Sequence, residues 1–281
     1  MTPPEPAAPT VRDRAAAAPP AGGLPPLRWT PLGDAAIAIR FAPGGRTEDG
    51  AAQGDGADRA AVAEGVDLDL LDRIRAAVAL LDVDPLPGVD DVASTFTTVT
   101  LFFDPLRWSG ESLAAAVLAR LADGHEPRGA GAGPARLPAG RVVEVPVAYG
   151  GEHGPDLDDV AARTGLPADE VVRLHASADY RVAMVGFAPG FPYLVGLPAA
   201  LAVPRLDVPR LRVPAGSVGI GGGQTGVYPL ATPGGWRIIG RTPLAFFVPE
   251  REPPVIVAAG DVVRFRPVSA AECARLAERR P

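Results

Sequence analysis

The chain has 281 residues, of which 47% are hydrophobic, and a formal net charge of −6. Two domains of moderate size are expected at this length, and the negative charge gives no general attraction to nucleic acid or to an anionic membrane. All 27 basic residues are Arg, which excludes a Schiff-base lysine and a GxxxxGK[ST] phosphate loop.

The use of cysteine and histidine and the spread of apolar residues exclude further classes. Cys273 is the only cysteine, so an internal disulfide and a Cys-based metal cluster are ruled out, and we expect it to be a small buried hydrophobe. The three histidines form no HExxH or similar pair, so no metal site is predicted. No apolar stretch approaches the roughly 20 residues that span a bilayer, and no signal-peptide pattern begins the chain. We therefore expect a cytoplasmic protein without a membrane partner.

The first part of the chain is predicted to form a small α+β domain over residues 27–123. It follows an Ala- and Pro-rich tail, residues 1–26, that is expected to be disordered because it has little to bury. Asp67 can cap the first helix, and a Gly-, Ala- and acid-rich stretch, 42–65, indicates a flexible insertion. The apolar spacing predicts strands at 34–41, 89–93 and 97–103 and helices at 68–81 and 110–122. Such strand–helix units are typical of a ferredoxin-like layer.

A linker-like stretch, 124–140, leads to a second domain over 141–281. A strand is expected at 141–147, and two short helices over 156–176, with Asp156 able to cap the first. A central strand is expected at 180–185.

The two short helices resemble a DNA-binding helix-turn-helix. A reading helix normally brings Arg or Lys to phosphates and base edges. The second helix of this pair offers Asp169, Glu170 and only one basic residue, Arg173. Structural helices are therefore favoured, and no nucleic-acid partner is predicted.

Residues 186–242 interleave Gly and Pro with single apolar, aromatic and polar residues. Gly permits positive φ and close approach of the backbone, whereas Pro fixes φ and removes a donor, so this run predicts short strands and sharp turns instead of a helix. The glycines could serve only the turns of a β-barrel, or the turns could hold polar groups over a shared site. The candidate polar residues are Arg205, Arg210, Ser217, Gln224, Thr225, Tyr228 and Arg241.

His175 stands apart from the other histidines because it precedes the predicted central strand. It could act as a general acid or base, or simply pair with the end of its helix. His125 and His153 lie in loops and are expected to be exposed.

Two Arg residues follow prolines in a repeated Pro-Arg pair, Arg205 and Arg210. The planar guanidinium suits a carboxylate or a phosphate, and the alternative is an ion pair with Asp207 or with a partner. One of the two is expected in a site.

The segment GSVGIGGGQTGVY combines a flexible backbone with several hydrogen-bonding side chains. Backbone amides near Gly222 and Gly223 can form an anion-binding nest. Gln224 can donate to and accept from an amide, and Tyr228 can donate to a developing oxyanion. Ser217 lacks the GxSxG elbow of a serine nucleophile, so it is assigned to binding.

In their order, the motifs GFAPGFPYL, PRLDVPR, VPAGSVGIGGGQTGVYP and TPGGWRIIGRTP resemble those of the 5-oxoprolinase B-subunit family, also called the allophanate hydrolase subunit 1 or KipI family. The resemblance extends from about Pro31 to the C-terminus. It implies an α+β N-terminal domain followed by a cyclophilin-like β-barrel, and the family has a His at the place of His175.

The resemblance also implies a function. The chain would be one component of a complex that opens the lactam of 5-oxo-L-proline to L-glutamate using ATP. Its partners would be the C subunit (allophanate hydrolase subunit 2-like) and the A subunit of 5-oxoprolinase. Catalytic roles would fall to His175, Gln224 and Tyr228. Substrate or ATP, with Mg²⁺ shared with a partner, would be bound by the residues Arg205, Arg210, Ser217, Gly222, Gly223, Thr225 and Arg241.

Two other functions are compatible with the same family. Some members inhibit a sensor histidine kinase, so the barrel could be a regulatory binding module. Related modules also occur in urea carboxylase, so the chain could belong to a urea- or allophanate-type amide hydrolase.

Overall fold

The computed structural model describes residues 27–42, 66–123 and 140–278. These residues divide into two compact units, one that ends at residue 123 and one that begins at residue 140. The predicted tail, and nearly all of the predicted insertion and linker, lie outside the described residues.

The N-terminal unit is a four-stranded antiparallel sheet with two helices. Its elements, in chain order, are β1 (Arg28–Pro31), β2 (Ala36–Arg40), α1 (Leu68–Val83), β3 (Val89–Ser94), β4 (Thr98–Phe103) and α2 (Gly110–Asp123). The strand order is β1-β2-β4-β3, so β4 lies between the two strands that α1 joins. This is the split β-α-β arrangement of a ferredoxin-like layer, which confirms the α+β prediction. Strand β1, which pairs with β2, was not predicted.

Local signals explain where the first helix begins and which face it buries. The Asp67 carboxylate accepts hydrogen bonds from the backbone N–H groups of Asp69 and Leu70 at 3.0 and 3.1 Å, as its capping role predicts. Leu71 and Ile74 follow at helical spacing and are buried, with Ile74 in the unit's apolar core. The predicted cap is therefore confirmed.

The C-terminal unit is a closed barrel of seven strands in the order β10-β7-β6-β13-β5-β12-β9. Its elements begin with β5 (Val142–Tyr149), α3 (Leu157–Thr164), α4 (Ala168–Ser177), β6 (Asp179–Val185) and β7 (Pro192–Val195). They continue with a 3₁₀ turn (Ala199–Leu201), β8 (Arg210–Val213), β9 (Ser217–Gly221), β10 (Gln224–Val227), β11 (Thr232–Gly234), β12 (Arg237–Arg241), β13 (Val262–Pro267) and α5 (Ala270–Glu278). The predicted β-barrel is confirmed. Strands β8 and β11 form a separate two-stranded ribbon.

Strands β9 and β10 have two different faces because side chains alternate along a strand. Val218, Ile220 and Val227 point into the barrel and are fully buried in its main core. The alternate positions of the same strands include Gly219 and Gly226, which lie on the outer face. That outer face carries a second, smaller apolar cluster.

Helices α3 and α4 form the predicted short pair, and they bury Val160 and Val171, respectively, in the barrel core. Gly165 ends α3 in the left-handed conformation with φ of 70°. The predicted capping role of Asp156 is wrong. Its side chain makes no hydrogen bond to the start of α3, because the carboxylate is engaged by Arg210 and by the backbone of Ile238.

Within the described residues, no helix is both long enough and apolar enough to cross a membrane.

Candidate functional site

The interior of the barrel holds a chain of hydrogen bonds centred on His175, which is 0% exposed. The hydroxyl of Tyr149 lies 2.8 Å from His175 Nδ1, and Nε2 lies 2.9 Å from Thr225 Oγ1. Thr225 in turn donates its hydroxyl proton to the carbonyl of Gly219. The imidazole also stacks on Phe265 with ring centroids 4.6 Å apart.

The direction of these bonds fixes the tautomer of the imidazole. Because Thr225 gives its only proton to Gly219, its oxygen accepts from His175 Nε2–H, and Nδ1 accepts from Tyr149. Burial lowers the pKa of His175 to about 3, which keeps the ring neutral. A general acid or base must reach the reacting group, and both ring nitrogens here are already bonded inside the core. We therefore assign His175 and Thr225 to the scaffold.

The outer face of the barrel carries an aromatic cluster formed by Phe187, Phe191, Tyr193, Tyr228 and Trp236. Phe191 lies at its centre, with ring centroids 5.0 to 5.5 Å from the other four and interplanar angles of 61° to 83°. This edge-to-face geometry is the favoured one for aromatic rings. Phe187 is 64% exposed and has a φ of 67°, so a strained backbone holds an open ring at the edge of the cluster.

Glycines make room for these rings. A Cβ at Gly221 would lie 2.7 Å from the indole of Trp236, and one at Gly234 would lie 2.8 Å from the ring of Tyr228. A Cβ at Gly226 would meet the carbonyl oxygen of Pro192 at 2.7 Å. The absence of a side chain at these glycines therefore leaves the space in which the aromatic cluster packs.

Two arginines stand beside the aromatic cluster. The Arg205 guanidinium lies 5.8 Å from the centroid of Trp236, within range of a cation–π interaction. Arg210 Nη2 donates to the Asp156 carboxylate at 2.6 Å, and the same carboxylate accepts from the Ile238 backbone at 2.6 Å. The predicted alternative partner of the arginines, Asp207, takes no part in this pair.

Several buried polar atoms of this unit have no hydrogen-bond partner among the described residues. They include Arg210 Nη1, Ser217 Oγ and Gln224 Nε2. Buried polar groups are nearly always paired, and each exception calls for an explanation such as a missing ligand. By strand alternation, Ser217 and Gln224 lie on the same outer face as Gly226. These atoms are donors without a protein partner among the described residues, and each of them is buried.

Tyr228 presents a protonated phenol to this face. Burial raises the pKa of Tyr228, and a backbone hydrogen bond from Trp236 opposes that shift. A phenol with a raised pKa stays neutral near pH 7 and can donate a hydrogen bond.

The Gly222–Gly223 segment is a two-residue hairpin turn between β9 and β10, and Gly222 has a φ of 65°. The Gly222 backbone N–H donates to the carbonyl of Val203 at 2.8 Å. That amide is therefore not free for an anion, and the predicted nest is wrong as far as Gly222 is concerned.

Apart from Gly222 and Gly223 in the hairpin turn, the structure separates the predicted site residues into three groups. His175 and Thr225 lie inside the barrel, and Arg241 lines a different cavity, described below. The outer face brings together the residues Arg205, Arg210, Ser217, Gln224 and Tyr228.

Sequence reasoning missed the partnership of Asp156 with Arg210. Neither Tyr193 nor Trp236 was among the predicted site residues. The density of aromatic residues in GFAPGFPYL and PGGW was the available signal for the cluster, but no local pattern marks the ion pair.

His153 is half-buried, with a buried Nδ1, contrary to the expected exposure. His125 lies outside the described residues. Cys273 is buried on α5, as predicted. The described residues contain no group of three or more His, Cys, Asp or Glu side chains that could hold a metal ion.

Comparison of the sequence with known families and proteins gives consistent matches. Residues 51–257 match the family described as "Carboxyltransferase domain, subdomain C and D". The chain is 44% identical to the 5-oxoprolinase B subunit of Bacillus subtilis (strain 168) over 206 residues, which are 70% of this chain and 82% of that protein. It is 57% identical to the 5-oxoprolinase B subunit of Escherichia coli O157:H7 over 136 residues, or 48% of this chain and 62% of that protein.

Solved structures give the same picture of the fold. The crystal structure of TTHA0988 matches with a TM-score of 0.62 at 38% identity, covering 74% of this chain but only 39% of that one. The Kluyveromyces lactis urea carboxylase matches with a TM-score of 0.66 at 18% identity, covering 90% of this chain and 22% of that one, which shows a shared fold alone.

Proposed function

This chain belongs to the 5-oxoprolinase B-subunit family, and on that premise we propose that it is the B subunit of an ATP-dependent 5-oxoprolinase. The complex would open the lactam of 5-oxo-L-proline to give L-glutamate. The C and A subunits would be its partners, because a B subunit works together with others.

The observation that carries the proposal is the outer face of the barrel. It combines the aromatic cluster, two guanidinium groups and the unpaired buried Gln224 Nε2. A small planar ring that bears a carboxylate and an amide needs these three kinds of contact.

The roles of the side chains follow from their chemistry. Arg210, fixed by Asp156, offers its unpaired Nη1 to the substrate carboxylate, and Arg205 adds positive charge at the same edge. Gln224 Nε2 donates to the lactam oxygen, and the neutral Tyr228 phenol is a second donor beside it. These contacts would orient the lactam and stabilise charge on its oxygen as the amide resonance is lost.

ATP would supply the activating phosphoryl group: the lactam oxygen would take it from ATP with release of ADP, and water would add to the activated carbon. The ring C–N bond would then break with a proton passing to nitrogen, and a second water would hydrolyse the resulting acyl phosphate to L-glutamate and inorganic phosphate. The described residues fit only part of that requirement. Arg205 can also face a phosphate oxygen, but Arg210 is assigned to the substrate carboxylate, the Gly222 amide is occupied, and no carboxylate cluster for Mg²⁺ is present among the described residues. We therefore propose that a partner in the complex supplies most of the ATP and Mg²⁺ contacts.

The test is ATP-dependent formation of glutamate from 5-oxo-L-proline by the assembled complex. The full chain would be purified with its candidate C and A partners, and each component omitted in turn. Activity should disappear without this chain. Replacing Gln224 with Met, which removes the amide at nearly constant size, should lower kcat/KM by about 10- to 100-fold, because a hydrogen bond to a developing charge is lost.

The matched control is Arg264→Gln on β13. This exposed residue pairs with Asp179 on the barrel wall opposite β9 and β10, so the substitution should leave turnover unchanged. An assembled complex that ignores 5-oxo-L-proline but hydrolyses a urea-type amide would overturn the choice of substrate. Binding to a sensor kinase without any amide hydrolysis would overturn the proposal that this chain is part of an enzyme.

A further inference from the structure

A cavity of about 350 Å³ lies in the barrel unit, where β12 ends. Its polar lining comes from Arg241, Thr242, His153 and Glu152, and prolines and the alanines of α5 complete the wall. None of the five rings of the aromatic cluster lines it. The volume falls within the range of small-molecule sites, roughly 300 to 1,000 Å³.

Two polar atoms of residues that line this cavity are buried and have no partner among the described residues. They are Arg241 Nε and His153 Nδ1. Burying an unpaired donor costs free energy, and Arg241 is the residue of this lining whose guanidinium can pair with an anion.

The charge and the lining restrict the kind of anion. Among the described residues that line the cavity, Arg241 is the only basic one other than His153, and the acidic Glu152 is exposed. Pro229, Pro243 and Leu244 make much of the remaining wall apolar. A single guanidinium in an apolar pocket matches a monoanion with an apolar body, and a phosphate dianion would require more donors.

We propose that this cavity binds the carboxylate group of a small organic acid, with Arg241 as its main partner. The proposal goes beyond the function given above, since it concerns a pocket separate from the outer-face cluster and does not require turnover. Both 5-oxo-L-proline and L-glutamate carry such a carboxylate, so the experiment includes each of them.

The test is direct binding to the full chain alone, measured by isothermal titration calorimetry. The probes are acetate, 5-oxo-L-proline, L-glutamate and inorganic phosphate. We expect saturable binding of at least one carboxylate and weaker or no binding of phosphate. Arg241→Gln should weaken carboxylate binding by about tenfold or more, because a charged hydrogen bond is lost, and Arg264→Gln should not.

A second pair of variants tests the cavity without changing its charge. Ala274 and Ala271 are both exposed on α5, but Ala274 lines the cavity and Ala271 does not. Ala274→Phe should abolish carboxylate binding by filling the space, and Ala271→Phe should preserve it. This pair decides the matter if Arg241→Gln fails to fold.

The proposal is overturned by absence of saturable binding with all three carboxylates at about 10 mM, a level at which weak sites still fill. It is also overturned if phosphate binds equally well, or if a folded Arg241→Gln or Ala274→Phe variant binds as the unmodified chain does. Hydrolysis of 5-oxo-L-proline by the complex would leave the proposed function intact in each of these cases.

Discussion

The interior of the barrel and its outer face both bury polar side chains, but the outer face leaves some buried polar atoms without a partner among the described residues. Inside, Tyr149, His175 and Thr225 form a directed chain that ends on a backbone carbonyl. Outside, Ser217 and Gln224 each keep a buried polar atom without a partner among the described residues. The two faces are built from the same strands, since Thr225 and Gln224 are neighbours on β10.

The difference separates scaffold from site. A buried polar group that the protein has already paired holds elements together and has no capacity left for a ligand. A buried group left unpaired destabilises the fold unless something else satisfies it. Substitutions on the two faces should therefore have opposite signatures, with loss of stability inside and loss of binding or turnover outside.

The largest expected effect on stability is at His175. His175→Ala would leave a cavity and would deprive Tyr149 and Thr225 of their partner, which should lower the free energy of unfolding by about 3 to 5 kcal/mol. Urea denaturation of the full chain measures this. A variant of normal stability that has lost turnover would instead make His175 a catalytic residue. It would contradict the division between a structural interior and a functional outer face.

The same residue should make stability depend on pH. The pKa of His175 is lowered to about 3 in the folded state, against about 6.5 when unfolded, so below pH 6.5 only the unfolded state binds this proton. Stability should fall as the pH drops from about 6.5 to about 4.5, by roughly 1.4 kcal/mol per unit.

Two carboxylates that Arg side chains stabilise, Asp159 and Asp179, titrate below this window. Arg partners lower the pKa of Asp159 and of Asp179, and their contribution to stability is lost only at lower pH. Denaturation at pH 6.5, 5.5 and 4.5 tests the slope, and a folded His175→Gln variant should lack it. An unchanged slope in that variant would mean that another group binds the proton.

An intermediate loss of stability is expected at Gly226, where the outer face has no room for a side chain. Gly226→Ala would bring a Cβ to 2.7 Å from the Pro192 carbonyl oxygen, beside the indole of Trp236. We expect a loss of about 1 to 3 kcal/mol and a change in tryptophan fluorescence. Gly223→Ala is the matched control, because a Cβ there meets nothing within 4 Å. An equal loss of stability in the two variants would contradict the role of Gly226 in making room for the aromatic cluster.

The smallest effect on stability is expected at Arg205. Its cation–π contact with Trp236 is worth about 0.5 to 1 kcal/mol at an exposed site, so Arg205→Gln should lower thermal stability only slightly. Turnover by the assembled complex should fall by about tenfold, because a charge that binds the substrate is lost. Unchanged kcat/KM would place Arg205 outside the site and would sharpen the assignment of binding to Arg210.

Local signals in the sequence determined the elements of this protein well. Apolar spacing and the Asp67 cap located α1, and Gly165 with the following proline located the break between α3 and α4. The dense Gly and Pro of residues 186–242 correctly indicated short strands and turns. These signals work because hydrogen bonding and side-chain alternation within an element depend on near neighbours in the chain.

Only the tertiary structure decided which of the candidate residues share a site. The ion pair of Asp156 and Arg210 joins residues 54 positions apart, and the bond of His175 to Thr225 joins residues 50 positions apart. Gln224 and Thr225 are adjacent and equally polar in the sequence, yet one faces out and the other in. That division follows from closure of the barrel, which determines which side of each strand is buried in the core, and no local pattern of polar residues contains that information.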